Sequence, residues 1–272
     1  MPNQITAISE YPTLAQTPTL FSTKLATLFK AYGLVFLSLI FIAAPVVALS
    51  DKFVVNVLHF KSIMDNDKIA FRHLFEKTGY VKGLLYICLV GPILEETVFR
   101  LPLAFKRIPI AIGIAAAIFL FSTLLPSKQI NASLGVLWVF AIRVVVAVLI
   151  FFILKKIIPR GVNLSKDAKK WIIITSMVLF GLMHIANYSP LQWPIIWVYP
   201  LYVVPQLIMG WLITYVRFKN GFVWGIALHC LINSGSMLLS SAYREPLKAK
   251  TAPITISAKK PAADTSSRLK KK

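Results

Sequence analysis

Apolar residues in this chain form blocks of about twenty, and short polar stretches separate the blocks. A helix needs about 20 apolar residues to cross the core of a bilayer. The pattern therefore predicts an all-α fold, a polytopic transmembrane helical bundle of about seven spans. The predicted spans are residues 31–50, 80–101, 108–125, 134–154, 171–187, 194–216 and 221–240.

Two stretches modify this alternation. Residues 51–77 mix charged and apolar residues at rough helical spacing, which predicts an amphipathic helix at the membrane interface, with a loop as the alternative. From Trp171 to Val216 there is no Asp, Glu, Lys or Arg. That stretch is long enough for two spans, with a break predicted at residues 187–190, where Pro190 ends an Asn-Tyr-Ser-Pro sequence.

The two ends of the chain differ from the bundle. Residues 1–30 form a polar N-terminal segment, residues 31–240 the transmembrane bundle, and residues 241–272 a basic C-terminal tail that closes in consecutive lysines. The tail is predicted to be disordered. Its charge suits a solvated anchor on anionic lipid headgroups, so membrane lipids are expected partners.

Composition agrees with a membrane protein. The chain of 272 residues is 57% hydrophobic and 15% charged, with a mean hydropathy of +0.71, whereas soluble domains are about 45–50% apolar and about 25% charged. The net charge of +20 does not indicate nucleic-acid binding, because excess Lys and Arg in loops is normal for such proteins. We expect a multi-pass protein of the cell membrane, the inner membrane if the chain is bacterial.

The sidedness of the bundle stays open at this stage. The short loops at 102–107, 155–170 and 217–220 are basic, and the positive-inside rule places such loops in the cytoplasm. With seven spans, that choice leaves the basic tail on the opposite side, which the same rule disfavours.

Two of the ten acidic residues, Glu95 and Glu96, lie inside a predicted span. An ionisable group at mid-membrane costs about 2.5–3.5 kcal/mol on insertion scales, so it suggests a function. Glu96 and Arg100 are four residues apart and are predicted to neutralise each other. Glu95 lies about 100° further around the helix and needs another partner. Arg143, midway along the fourth predicted span, is one candidate counter-ion, although it could also snorkel or line a substrate cavity.

Two histidines and an asparagine are further candidate catalytic residues. His184 and His229 lie inside predicted spans, and Asn233 follows His229 at a spacing that places both on one helix face. A single intramembrane histidine is usually a hydrogen-bonded packing residue. Two histidines, an amide and an unpaired Glu95 together supply a base, proton-transfer groups and a donor, which are the parts needed to activate water and hold an oxyanion.

Three short motifs carry a resemblance to a known family. They are Glu95-Glu96-x-x-x-Arg100, Phe180-x-x-x-His184 and His229-x-x-x-Asn233. In this order they resemble the signature motifs of the CAAX-protease and bacteriocin-processing (CPBP) family of intramembrane proteases, related to the type II CAAX prenyl endopeptidases. The resemblance covers roughly residues 80–240, the predicted protease-like core. One departure is Leu101, where the family often has glycine after the motif arginine.

The resemblance implies a helical bundle around an intramembrane polar cavity, and an endopeptidase that cuts a membrane-associated protein or peptide. Glu95 would activate the hydrolytic water with help from His184. His229 and Asn233 would stabilise the oxyanion. Glu96 and Arg100 would support the site.

The expected mechanism uses no cofactor, with zinc as the alternative. If zinc is used, its ligands would be Glu95, His184 and His229, although the HExxH spacing is absent. Cys88 and Cys230 are interpreted as small apolar core residues. Two other functions stay in view, a non-catalytic immunity or regulatory membrane partner with the same fold, and a proton-coupled transporter. The sequence does not predict an oligomeric state.

Overall fold

Helices account for nearly all the residues that the computed structural model describes, which are 8, 10–12, 20–122 and 133–242. These ranges contain no β-strand, and Lys106 and Gly161 form an isolated antiparallel bridge. The predicted all-α class is therefore confirmed. The basic tail from residue 243 onward lies outside the described residues, as does most of the N-terminal segment up to residue 19.

The helices are named here in chain order, with the three consecutive stretches Tyr80–Leu85, Tyr86–Val90 and Gly91–Phe99 treated as one helix whose middle turn is a π-helix. Their bounds are α1 Phe21–Asn56, α2 Ile63–Thr78, α3 80–99, α4 Arg107–Phe121, α5 Ser133–Ile157, α6 Lys166–Met183, α7 Trp193–Tyr202, α8 Val204–Asn220 and α9 Phe222–Ala242. Single 3₁₀ turns lie at Pro102–Ala104 and His184–Tyr188.

By length and composition, four helices in the described part of the chain could cross a membrane, and the bent pair α7–α8, with an angle of 42°, would be a fifth. The predicted count of seven is therefore not confirmed. Two predicted spans account for the difference. Helix α3 carries three charged residues, Lys82, Glu95 and Glu96, and α4 has only 15 residues.

The prediction for residues 51–77 was wrong in its first third. Helix α1 begins at Phe21, ahead of the predicted span, and continues through Asn56. The chain then turns, and α2 begins only at Ile63. Residues 51–56 therefore complete a long apolar helix, and only α2 is a separate helix.

Asp51 explains where α2 begins. Its carboxylate accepts hydrogen bonds from the Ser62 hydroxyl at 2.8 Å and the Ile63 backbone N–H at 2.9 Å, so it satisfies an otherwise free donor at the start of α2. It also accepts from the Tyr202 hydroxyl at 2.9 Å. One side chain thereby joins α1, α2 and α7 at one end of the bundle.

The core that supports the candidate site joins α1, α8 and α9. Its buried side chains are apolar and come from all three helices: Leu28, Ala31, Val35, Leu212, Ile213, Val216, Leu228 and Ile232. Gly221, between α8 and α9, has φ of 109°, a conformation that glycine adopts without strain. The sharp reversal there packs α8 and α9 side by side.

A second cluster, which is rich in tyrosine, lies at the N-terminal end of α8. The Tyr188 hydroxyl donates to the Tyr202 carbonyl at 3.0 Å, and the Tyr199 hydroxyl accepts from the Gln192 N–H at 2.9 Å. These bonds order the irregular segment between α6 and α8, which carries no charged residue. The predicted break near residues 187–190 lies in this segment.

We expect Asp51→Ala to lower the free energy of unfolding by about 2–3 kcal/mol, because it removes hydrogen bonds to a charged acceptor and leaves donors unpaired. Tyr202→Phe, which removes one of these bonds, should cost less. Denaturant titration of the purified protein in detergent measures both changes. Equal stability of Asp51→Ala and wild type would show that the junction does not depend on this carboxylate.

Candidate active site

A buried ion pair lies at the end of α3. Glu96 and Arg100 both have 0% exposed side chains, and Nη1 of Arg100 lies 3.1 Å from Oε1 of Glu96. The pairing predicted from their spacing is therefore present. Charges removed from water in this way need further polar or aromatic contacts to offset the cost of desolvation.

Helices α6 and α8 supply contacts to the arginine. Nη2 of Arg100 donates to the Gly210 carbonyl at 3.3 Å, and Nε lies 3.5 Å from the Thr214 hydroxyl. The Phe180 ring lies 3.8 Å from the guanidinium, centroid to Cζ, a cation–π contact. A Cβ at Gly210 would lie only 3.1 Å from Nη2 of Arg100 and 3.0 Å from the Phe180 ring. Glycine at this position therefore lets the three groups meet.

His229 extends the pair to α9. Its Nδ1 lies 2.9 Å from Oε1 of Glu96, and its side chain is 1% exposed. A carboxylate accepts, so Nδ1 of His229 carries the proton and donates to Glu96. Nε2 on the other side of the ring lies 3.7 Å from Oε2 of Glu95. In the neutral ring this Nε2 is a hydrogen-bond acceptor.

His184 has the same arrangement at the end of α6. Its Nδ1 lies 2.8 Å from the Phe180 carbonyl oxygen. A carbonyl only accepts, so Nδ1 of His184 carries the proton and Nε2 of the neutral ring is an acceptor. That Nε2 lies 3.8 Å from Oε2 of Glu95.

Glu95 therefore lies between two imidazole nitrogens. Both distances exceed hydrogen-bond length. Polar groups at such separations are commonly joined through a bridging water. The separation of Glu95 from the Glu96–Arg100 pair agrees with the prediction. The suggested counter-ion was wrong, because in the described part of the chain Glu95 faces His184 and His229 and no ion pair joins it to Arg143.

Asn233 lies on α9 one turn beyond His229. Its Nδ2 donates to the Ile87 carbonyl at 2.9 Å, and Ile87 belongs to the π-helical turn of α3. One amide hydrogen is thus used to join α9 to α3, and the second is available.

A pocket of about 460 Å³ brings the four predicted catalytic residues together, since Glu95, His184, His229 and Asn233 all line it. Glu96 and Arg100 lie behind this lining. Sequence reasoning missed several other lining residues, among them Asn187, Gln206 and Ser236. The available signal was weak, because Asn187 and Gln206 are isolated polar residues in the uncharged stretch from Trp171 to Val216. The apolar lining includes Leu39, Leu74, Met209 and Met237.

Glu95, His184 and His229 are residue types that bind zinc in proteins. Four-coordinate zinc has bonds of about 2.0–2.2 Å to His and carboxylate ligands, which places neighbouring ligand atoms about 3.3–3.6 Å apart. The gaps of 3.7 and 3.8 Å around Oε2 of Glu95 are wider. No group of three or more His, Cys, Asp or Glu among the described residues could hold a metal ion. The three side chains would therefore have to move slightly closer together to ligate zinc.

Part of the chain matches a known protein family. The family described as Rce1-like, type II CAAX prenyl endopeptidase Rce1-like, matches residues 137–235. The matched segment contains His184, His229 and Asn233, whereas Glu95 and Glu96 precede it. No curated protein and no solved structure matched the chain.

We expect Arg100→Met to destabilise the protein by about 3–5 kcal/mol, because it leaves the Glu96 charge buried without its partner. The double variant Glu96→Gln with Arg100→Met should be more stable than Arg100→Met alone. Denaturant titration of the two single variants and the double variant measures this coupling. Additive effects would contradict the interpretation of the two residues as a coupled pair.

Proposed function

We propose that the chain is an intramembrane endopeptidase of the CAAX-protease type, which hydrolyses a peptide bond of a membrane-associated protein or peptide with a glutamate-activated water; the match of residues 137–235 to the Rce1-like family supports this proposal. The observation that carries this proposal is the convergence of Oε2 of Glu95 with the Nε2 atoms of His184 and His229 in one pocket. We place the protein in the cell membrane as a multi-pass protein in contact with lipids.

In the proposed first step, a water donates one hydrogen bond to Oε2 of Glu95 and another to Nε2 of His184. Both groups are acceptors, so they orient the water and increase the negative charge on its oxygen. The oxygen attacks the carbonyl carbon of the scissile peptide bond, and the proton passes to Glu95. Holding water and substrate in one pocket removes much of the entropic cost of their encounter.

The tetrahedral intermediate that follows carries a negative oxygen, which needs donors. Asn233 offers its second amide hydrogen. His229 donates from Nε2 only as the imidazolium, and it becomes one by taking from Glu95 the proton that came from the water, across the 3.7 Å between Oε2 of Glu95 and Nε2. The Glu96 carboxylate on Nδ1 stabilises that charged form, and the proton returns to Glu95 before the intermediate collapses. Collapse of the intermediate breaks the C–N bond, and the proton held by Glu95 moves to the leaving amine.

This mechanism is proposed as metal-free. Zinc bound by Glu95, His184 and His229 remains the competing hypothesis, and a change in side-chain geometry would be needed to bring the three ligands to metal-binding distance. Because both hypotheses use the same residues, substitution alone does not separate them. A chelator does.

We expect the purified wild type in detergent to cleave members of a mixed peptide library, and Glu95→Gln to cleave at least about 1,000-fold more slowly, since a general base contributes about 10²–10⁴ in rate. Mass spectrometry of the products measures cleavage with and without a strong zinc chelator. Glu76→Gln, on the surface of α2 and outside the pocket lining, is the matched control and should keep wild-type activity.

Chelator-sensitive cleavage that zinc restores would overturn the metal-free mechanism. Equal cleavage by wild type and Glu95→Gln would overturn the role of Glu95. No cleavage by the wild type, with peptides or with membrane-anchored protein substrates, would favour a non-catalytic partner of the same fold.

A further inference from the structure

Gln206 is a polar side chain of the pocket lining that the proposed mechanism does not use. Gln206 lies in the first turn of α8, directly after Pro205, and lines the pocket together with Glu95 and His184. Its Oε1 is buried and has no hydrogen-bond partner among the described residues.

Three other side-chain amides in the described part of the chain are paired. Asn233 donates to the Ile87 carbonyl, Asn220 to the Lys24 carbonyl and Gln192 to the Lys61 carbonyl, each at 2.9 Å. Each of these amides joins two segments of the chain. The Gln206 amide joins no segments within the described part of the chain. A purely structural role therefore does not explain an amide at this position.

An unpaired buried amide has an energetic cost. A buried donor or acceptor without a partner destabilises the folded protein because it has lost its hydrogen bonds to water, and an apolar residue of similar size in the first turn of α8 would avoid that cost. A polar group of this kind in a pocket is satisfied when a ligand supplies the missing bonds.

A carboxamide has one carbonyl acceptor and two N–H donors. A peptide backbone presents the complementary groups, an N–H and a C=O. We propose that Gln206 binds the backbone of the substrate peptide beside the scissile bond, with Oε1 accepting from a peptide N–H and Nε2 donating to a peptide carbonyl. This inference rests on the proposed function, because it assigns a substrate-binding residue to the same site.

The buried ion pair holds Gln206 in position. Gly210, one turn further along α8, accepts from Arg100 through its carbonyl, and Thr214 lies one turn beyond that. The first turn of α8 is thereby fixed relative to α3, which carries Glu95. A peptide held by Gln206 would therefore be held at a defined distance from the water on Glu95.

Direct peptide binding tests the proposal. The Glu95→Gln protein, in which cleavage is expected to be blocked, is purified in detergent and incubated with a mixed peptide library, and the retained peptides are quantified by mass spectrometry. Adding Gln206→Met should reduce retention about tenfold, since two net hydrogen bonds are worth about 1.4 kcal/mol together. Adding Gln192→Met, which changes a glutamine outside the pocket lining, should leave retention unchanged.

Thermal unfolding separates a structural role from substrate binding. Gln206→Met removes a buried carbonyl oxygen that has no partner among the described residues, so its melting temperature should equal or exceed that of the parent protein. A lower melting temperature with unchanged retention would overturn the proposal. Gln206→Glu, which keeps an acceptor and loses the amide donors, should retain fewer peptides than the Gln206 parent and serves as the second variant.

Kinetics distinguish this proposal from the proposed function. In the wild-type background, Gln206→Met should raise KM and lower kcat/KM about tenfold. Cleavage by the wild type with unchanged kcat/KM in Gln206→Met would overturn the role of Gln206 and leave the protease intact. Peptide retention that depends on Gln206, without cleavage by the wild type, would support the binding role and overturn the protease. Retention that Gln206→Met does not alter would overturn the binding role.

Discussion

The buried pair of Glu96 and Arg100 is the interaction on which the rest of the site depends. Two charges removed from water cost several kcal/mol each unless their geometry and further contacts offset the penalty. Here Arg100 donates to the Gly210 carbonyl and lies against the Phe180 ring, while Glu96 accepts from His229. The pair therefore fixes α3, α6, α8 and α9 relative to one another, and those four helices carry the pocket lining that the proposed mechanism uses.

The two adjacent glutamates differ in burial and in contacts. Glu96 is fully buried and its Oε1 contacts Arg100 and His229, whereas Glu95 is 21% exposed and faces the pocket. The 100° turn between neighbouring residues of a helix produces this difference. Because Glu96 fixes the proton of His229 on Nδ1 and the Phe180 carbonyl does so for His184, both neutral rings present a lone pair toward Glu95.

Local spacing in the sequence was enough to predict the ion pair and the helical class. The four-residue interval between Glu96 and Arg100 predicted their pairing, and the apolar blocks predicted the helical class. The bond from His229 to Glu96 joins residues 133 apart in the chain, and no local pattern encodes such a contact. The predicted number of spans was not confirmed, for a related reason. Helix α3 carries charges that are satisfied only by other helices, so its composition alone does not show whether it crosses the membrane.

Gln206 and Asn233 show why residue type alone does not assign a role. Both are side-chain amides in the lining of one pocket, and the sequence suggested only Asn233, through its spacing from His229. In the structure one hydrogen of Asn233 is used on the Ile87 carbonyl, whereas the buried Oε1 of Gln206 has no hydrogen-bond partner among the described residues. An amide already joined to the backbone has little freedom to follow a changing substrate, which suits it to one fixed point such as an oxyanion. An unpaired amide has both its donor and its acceptor available, which suits it to a peptide backbone that presents both groups.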